Sequence, residues 1–317
     1  MAQVETLLRR MRNGIYERFT QEGETFSELE KYWYNWGIQH SNLAWAQSLI
    51  DNMIGIGPLF RHITELDRQI PDKGVGFFAK AFLAKINCQT IWDDGVPEWL
   101  QQEGVPVLAF GNHTNRIEHL SLLASSERND LRSIGATWAS VPGREYQKAL
   151  FLVTRVPRDG EVVRFAGVDH NREAAKEFNR NSYRQATDHL FSGGSIVIAP
   201  NATYNMHRDT LSWKGIGRIM ANMDAQKQSE IRLAPLYTYG VSIGDILTNL
   251  RQAYTGGEVE PLEMHIKQGH VFTVADLLSE NSGQVPQVNR GELEDKAQFF
   301  NELLQRKYES NQEYALL

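Results

Sequence analysis

The spacing of apolar residues changes near residue 85. Before it, apolar and aromatic positions recur at helical intervals, as at Leu43, Leu49, Ile50 and Met53, which predicts helices. The segment Gly55–Phe60 (GIGPLF) and then Pro71 interrupt that run. From about Val105, short apolar blocks alternate with amphipathic stretches. Val107–Phe110 (VLAF) and Ser195–Pro200 (SIVIAP) are continuous apolar runs, the pattern of strands covered on both faces. Further strands are predicted over Ser133–Ala139, Ala149–Val156, Arg232–Gly240 and Glu263–Val274. Helices are predicted over Ile117–Ser125, Arg172–Phe191 and Gly291–Tyr308, with Gly193 and Gly194 stopping the second. Strands interleaved with helices predict an α/β fold: a central mixed sheet flanked by helices. The expected division is a smaller N-terminal helical domain, residues 1–85, and an α/β domain, residues 86–317.

Composition narrows the function classes. The chain has 317 residues and a formal net charge of −6. That balance argues against general nucleic-acid binding, which needs a basic domain. Cys88 is the only cysteine, so neither a disulfide framework nor a cysteine zinc site can form. His265 and His270 lack ligand partners at zinc-binding spacing, and no metal or cofactor is expected. The start of the chain lacks the apolar core of a signal peptide, and no uncharged stretch reaches the ~18 residues that span a bilayer. The expected location is the cytoplasm, or a plastid stroma. Two Asn-X-Thr sequons, at Asn112 and Asn201, then read as chance matches. Leu43, Trp45, Leu49, Ile50, Met53 and Ile54 share one side of a helical segment. Such a face packs on a domain or makes a weak, peripheral contact with a membrane surface; the scarcity of Lys and Arg opposite it favours packing.

The candidate chemistry centres on PVLAFGNHTNRIEHLSLL. A buried strand ends, a polar turn follows, and a helix begins. His113 sits on the turn, and Glu118 lies five positions on. On one continuous helix those side chains would point about 140° apart. They meet only if His113 precedes the helix and the chain bends there, which the strand–turn–helix order predicts. A carboxylate beside one ring nitrogen fixes the tautomer and stabilises the imidazolium, leaving the other nitrogen to take a proton from a hydroxyl. Amides at the helix start would help hold the negative charge that develops. By spacing alone the pair reads equally as a turn histidine and a helix-capping acid. His119 reads as structural or pocket-lining. No Gly-X-Ser-X-Gly elbow surrounds the serines near His113; the chain's one such match, Gly240-Val241-Ser242-Ile243-Gly244, lies far along the sequence.

The order Asn112-His113, four residues, then an acid resembles the first block of the glycerophospholipid acyltransferase superfamily, with Glu118 where the family has Asp. More specifically, the chain resembles the soluble chloroplast-type glycerol-3-phosphate acyltransferases. The likeness runs from about Trp92 onward, through GVPEWLQQEGVPVLAFGNH, LFSGGSIVIAP (Leu190–Pro200) and APLYTYGVSIGDIL (Ala234–Leu247). It implies acyl transfer from acyl carrier protein or acyl-coenzyme A to the hydroxyl of glycerol 3-phosphate or a related acceptor, with His113 as base and Glu118 as its partner. It also implies a phosphate site drawn from Arg155 and Arg158 in LVTRVPRDG, from Thr203 and Arg208 after Pro200, and from Lys214 before a helix. The family's paired arginines after Ile-Ala-Pro do not align here: the chain reads Asn201-Ala202-Thr203-Tyr204-Asn205-Met206-His207-Arg208. That departure leaves open a non-phosphorylated acceptor, or a non-catalytic lipid- or partner-binding protein derived from an acyltransferase. A hydrolase using the same histidine and water would need no acceptor site.

Overall fold

The structure, a computed structural model, describes residues 56–112, 117–136, 144–153, 156–165, 168–199, 214–281 and 293–315. Three helices open it: α1 (Ile56–Asp67), α2 (Ile70–Lys73) and α3 (Val75–Lys85). Then come β1 (Cys88–Trp92), β2 (Val107–Gly111), α4 (Glu118–Ser125), β3 (Leu131–Ala136), α5 (Arg144–Gln147) and β4 (Leu150–Val153). A two-stranded ribbon of β5 (Val163–Phe165) and β6 (Val168–His170) precedes α6 (Arg172–Phe191) and β7 (Ser195–Ile198). The rest is α7 (Lys214–Ala221), α8 (Ala225–Glu230), β8 (Arg232–Tyr239), α9 (Ile243–Thr255), β9 (Leu262–Gln268), β10 (Phe272–Thr273), α10 (Val274–Glu280) and α11 (Leu293–Ala315).

One eight-stranded sheet has the order β1-β9-β8-β2-β7-β3-β4, with β10 also on β8. From β8 to β4 every pairing is parallel, and β9 reverses against β8. The sheet is therefore mixed, and helices cover both faces. Strand alternation sorts the side chains. Val107 and Ala109 of β2 face one core with Ala234, Leu236, Met264 and Ile266. Leu108 and Phe110 face the other with Ile196, Ile198, Leu233 and Tyr237. Helices α1, α3 and α4 fill the first core through Ile63, Leu66, Phe78, Phe82, Leu120 and Leu123. Helices α6, α7, α10 and α11 fill the second through Leu190, Ile219, Leu277, Phe300 and Leu304.

Several elements differ from the sequence-based expectation. The GIGPLF segment opens α1 rather than ending a helix: Pro58 lies in the first turn, where its missing N–H costs nothing. Strand β1 and the helices α9 and α10 were not expected. The predicted strand Glu263–Val274 is two strands. Both β9 and β10 run antiparallel to β8, but Leu236 pairs with Gln268 while Leu233 pairs with Phe272. The chain thus holds one extra residue opposite Pro235, with the Gly269 amide donating to the Pro235 carbonyl at 2.9 Å. A proline has no N–H to give a ladder, and a bulge is how a sheet absorbs one. Residues 1–55 of the predicted helical domain lie outside the described residues, including the whole of the Leu43–Ile54 face. Among the described residues no helix is long and apolar enough to cross a membrane.

Candidate functional site

The crossovers make the carboxyl ends of β2 and β7 a topological switch point. These strands are parallel neighbours, yet the chain leaves them in opposite directions. From β2 it goes through α4, on the first face, to β3. From β7 it goes through α7, on the second face, to β8. Neighbouring strands whose connections diverge to opposite faces leave a gap beyond their carboxyl ends, where α/β sheets bind ligands.

The sequence-predicted residues follow these carboxyl ends. Strand β2 stops at Gly111, two residues before His113; β4 stops at Val153, two before Arg155; β7 stops at Ile198, ahead of Thr203 and Arg208. His113, Arg155, Thr203 and Arg208 lie outside the described residues, and so does the side chain of Lys214, the first residue of α7. Arg158 is described and exposed, its amide donating to Glu161 Oε2 at 2.9 Å. Glu118 is the first residue of α4, so α4 starts beyond His113. It is buried, at 6% exposure, at a helix terminus whose free amides favour a negative charge. His119 is half-buried, its ring 6.4 Å from that of the fully buried Tyr146.

Two residues fix how β2 ends. At Gly111 a Cβ would lie 2.5 Å from the Leu236 carbonyl oxygen, so only glycine lets the strand run this close to β8. Asn112 then bonds β8 through its side chain. Its Nδ2 donates to the Thr238 carbonyl at 2.8 Å, and its Oδ1 accepts from the Thr238 amide at 2.8 Å. The Thr238 hydroxyl lies 3.2 Å from the same Oδ1 and 3.4 Å from the Asn112 carbonyl. The sequence shows the motif asparagine but not this clamp, which joins residues far apart in the chain.

A second polar cluster, missed in the sequence, lies on the far side of β8. Tyr239, beside Thr238, donates its hydroxyl to Asp93 Oδ2 at 2.5 Å, and His265 Nδ1 lies 3.1 Å from Asp93 Oδ1. The Tyr239 and His265 rings stack at 5.0 Å. Burial opposes charge on Asp93, but the bonds from Tyr239 and His265 and the charge of Lys267 overcome it and hold the carboxyl below its usual range. The same bond raises the Tyr239 hydroxyl above its usual value. A carboxylate on Nδ1 fixes the imidazole tautomer. Asp93, Tyr239 and His265 are brought together by β1, β8 and β9, and no local spacing signals them.

Among the described residues no group of three or more His, Cys, Asp or Glu side chains is arranged to hold a metal ion. No family model matches the chain, and no curated protein is significantly similar to it. Four chains of known structure match. One is a 1-acyl-sn-glycerophosphate (LPA) acyltransferase from Thermotoga maritima, overlapping 83% of this chain and 90% of that one, with 13% identity and a TM-score of 0.37. A superposition that loose supports no inference about activity.

Proposed function

We propose that the chain is an acyltransferase. It moves a fatty acyl group from an acyl carrier protein or coenzyme A thioester to the hydroxyl of glycerol 3-phosphate or a related acceptor. The observation that supports this most is the register of the histidine motif on the fold. The Asn-His step follows the carboxyl end of β2 at the topological switch point, and the motif's acid, Glu118, is buried at the first turn of the next helix. A turn histidine of purely structural use has no need of a buried acid five residues on.

In this reading the His113 imidazole takes the proton from the acceptor hydroxyl as its oxygen bonds to the thioester carbonyl carbon. Glu118 stabilises the imidazolium that forms. The tetrahedral intermediate then expels the thiolate, which recovers the proton from His113, leaving an ester and a free thiol. Arg155, Arg158, Thr203, Arg208 and Lys214 follow strand ends on the same edge or open α7, and supply the acceptor's phosphate site. Forked arginine hydrogen bonds suit that anion.

A neutral acceptor is the second reading, favoured by the missing arginine pair after Pro200 and by the exposure of Arg158. The test is thiol release from acyl carrier protein and coenzyme A thioesters, with glycerol 3-phosphate, glycerol and no acceptor in parallel. Release that depends on glycerol 3-phosphate supports the first reading. Equal use of glycerol favours the second, release without any acceptor indicates a hydrolase, and no release at all removes the enzyme reading.

A further inference from the structure

The polar side chain that meets β8 at the end of β2 belongs to Asn112, the residue before His113. Gly111 is the last ladder residue of β2, opposite Leu236. Beyond it β8 runs on to Tyr239, and its Thr238 amide and carbonyl need partners at this depth, since Thr238 is buried. Asn112 supplies both from one side chain, with Oδ1 accepting and Nδ2 donating at 2.8 Å. A side-chain amide is chemically a peptide group, so it completes the sheet edge while the Asn112 backbone is free to leave it. A backbone partner at this position would hold the chain in the strand direction. Serine offers too short a reach and aspartate no donor.

We propose that Asn112 is the positioning residue for His113: it ends the strand at a fixed point and holds the root of the histidine turn against β8. Gly111 serves the same junction from the strand side, because a Cβ there would meet the Leu236 carbonyl oxygen at 2.5 Å and push β2 away from β8. The proposal rests on the reading of His113 as the base. It predicts that both halves of the amide matter. Asn112→Asp keeps size and acceptor but sets a carboxylate oxygen against the Thr238 carbonyl, so it is the more damaging change. Asn112→Ala removes both bonds without adding repulsion.

The experiment measures kcat, KM for the thioester and the pH–rate profile for the wild type, Asn112→Ala and Asn112→Asp, with folding followed by circular dichroism. Loss of alignment by about 1 Å is enough for a rate loss on the order of a hundredfold. The expected result is a kcat at least tenfold lower in Asn112→Ala, lower again in Asn112→Asp, with the thioester KM within about threefold and the pH limb assigned to His113 displaced. Near wild-type kcat in Asn112→Ala overturns the proposal, as does a loss fully accounted for by a smaller folded fraction with an unmoved pH limb. If the variants fold poorly, Thr238→Val, which removes only the hydroxyl contacts and leaves the paired backbone bonds, is expected to lower kcat less than about threefold; a larger loss at an unmoved pH limb counts against the amide pairing. If the wild type transfers no acyl group, the reaction reading fails separately. The His113 imidazole titration, followed by NMR in wild type and Asn112→Ala, then decides the clamp: a shifted pKa or chemical shift supports it, and identical curves sink it.

Discussion

The two ends of the parallel strands are built on different rules. At the amino ends of β2, β3 and β7 a single guanidinium ties the chain together. Arg128 is fully buried and uses all five of its N–H groups: Nε and Nη2 on the two Asp130 oxygens, both at 2.6 Å, Nη1 on the Trp99 and Val105 carbonyls at 2.8 and 2.9 Å, and Nη2 on the Gly193 carbonyl at 3.4 Å. Ser195 adds a bridge, accepting from the Val107 amide at 3.0 Å and donating to the Val105 carbonyl at 2.9 Å. At the carboxyl ends the polar groups are held but less enclosed. Asn112 is only part-buried, and Tyr239 and Arg158 are exposed. A satisfied buried network rigidifies and closes one edge; the other edge keeps polar groups within reach of a ligand. With the proposed function, stability and chemistry fall at opposite ends of the same strands.

The sharpest break of that comparison is at His113. His113→Ala should lower acyl transfer by about 10²–10⁴ and leave the unfolding midpoint in urea nearly unchanged. Retained turnover would take the chemistry away from this edge. Glu118→Gln, which keeps shape and removes charge, should give a smaller loss with donor binding intact. Equal activity would leave Glu118 as only a helix-terminal charge.

Arg128→Met is the converse experiment. The change strips a buried guanidinium from three carbonyls and from Asp130, whose side chain is 27% exposed; a cost of about 1–3 kcal/mol, below that of a fully buried pair, should lower the urea midpoint while kcat per folded molecule holds. Acid provides a second readout. Burial raises the Asp130 carboxyl, but the hydrogen bonds and charge of Arg128 outweigh it and hold the group below its usual range. A depressed carboxylate contributes stability above its unfolded value of about 3.9, and loses it as pH falls through the folded value. Below about pH 4 the wild type should therefore lose stability faster than Arg128→Met. Parallel acid curves would show that Asp130 is held by other groups.

The smallest expected effect sharpens the acceptor question. Arg158→Ala should raise the KM for glycerol 3-phosphate about tenfold, the equivalent of one charged hydrogen bond, with the thioester KM unmoved. An unchanged KM for the phosphate substrate would take Arg158 out of the site and favour the neutral acceptor.

The sequence reveals this division unevenly. Strands buried on both faces announce themselves: VLAF carries no polar residue and SIVI only the small Ser195, and they became β2 and β7. The long helix α6 was legible from its amphipathic spacing and from the glycines after it. Strand β1 was not, because CQTIW is short, carries Gln89 and Thr90, and owes its conformation to β9 far along the chain. The bulge opposite Pro235 was hidden for the same reason: proline marks a ladder defect only once its partner is known. At the candidate site, the strand–turn–helix order singled out His113 and Glu118 as candidates, while the amide clamp at Thr238 and the Asp93–His265–Tyr239 cluster depend on pairings that no local spacing records. Arg128 stood in a polar stretch and gave no sign of burial, since its partners are mostly carbonyls, which every residue has.

The mixed sheet also sets a timetable for the ribosome. Cys88 pairs with Leu262, and β2 has β8 and β7 as its neighbours, so the first strands made are completed by some of the last. At about 5–20 residues per second the wait between residue 88 and residue 262 is roughly 9–35 s. Until then β1 has no strand partner, and β2 has at most β7 on one side; unpaired strand edges of this kind associate with other chains. The second core waits longer still: the Tyr308 hydroxyl donates to the Leu236 carbonyl and the Tyr237 hydroxyl to the Tyr308 carbonyl, each at 3.1 Å. A nascent chain that stalls before residue 293 lacks α11, and with it Phe300, Leu303, Leu304 and Tyr308 of the second core, so part of one face of its sheet stays uncovered.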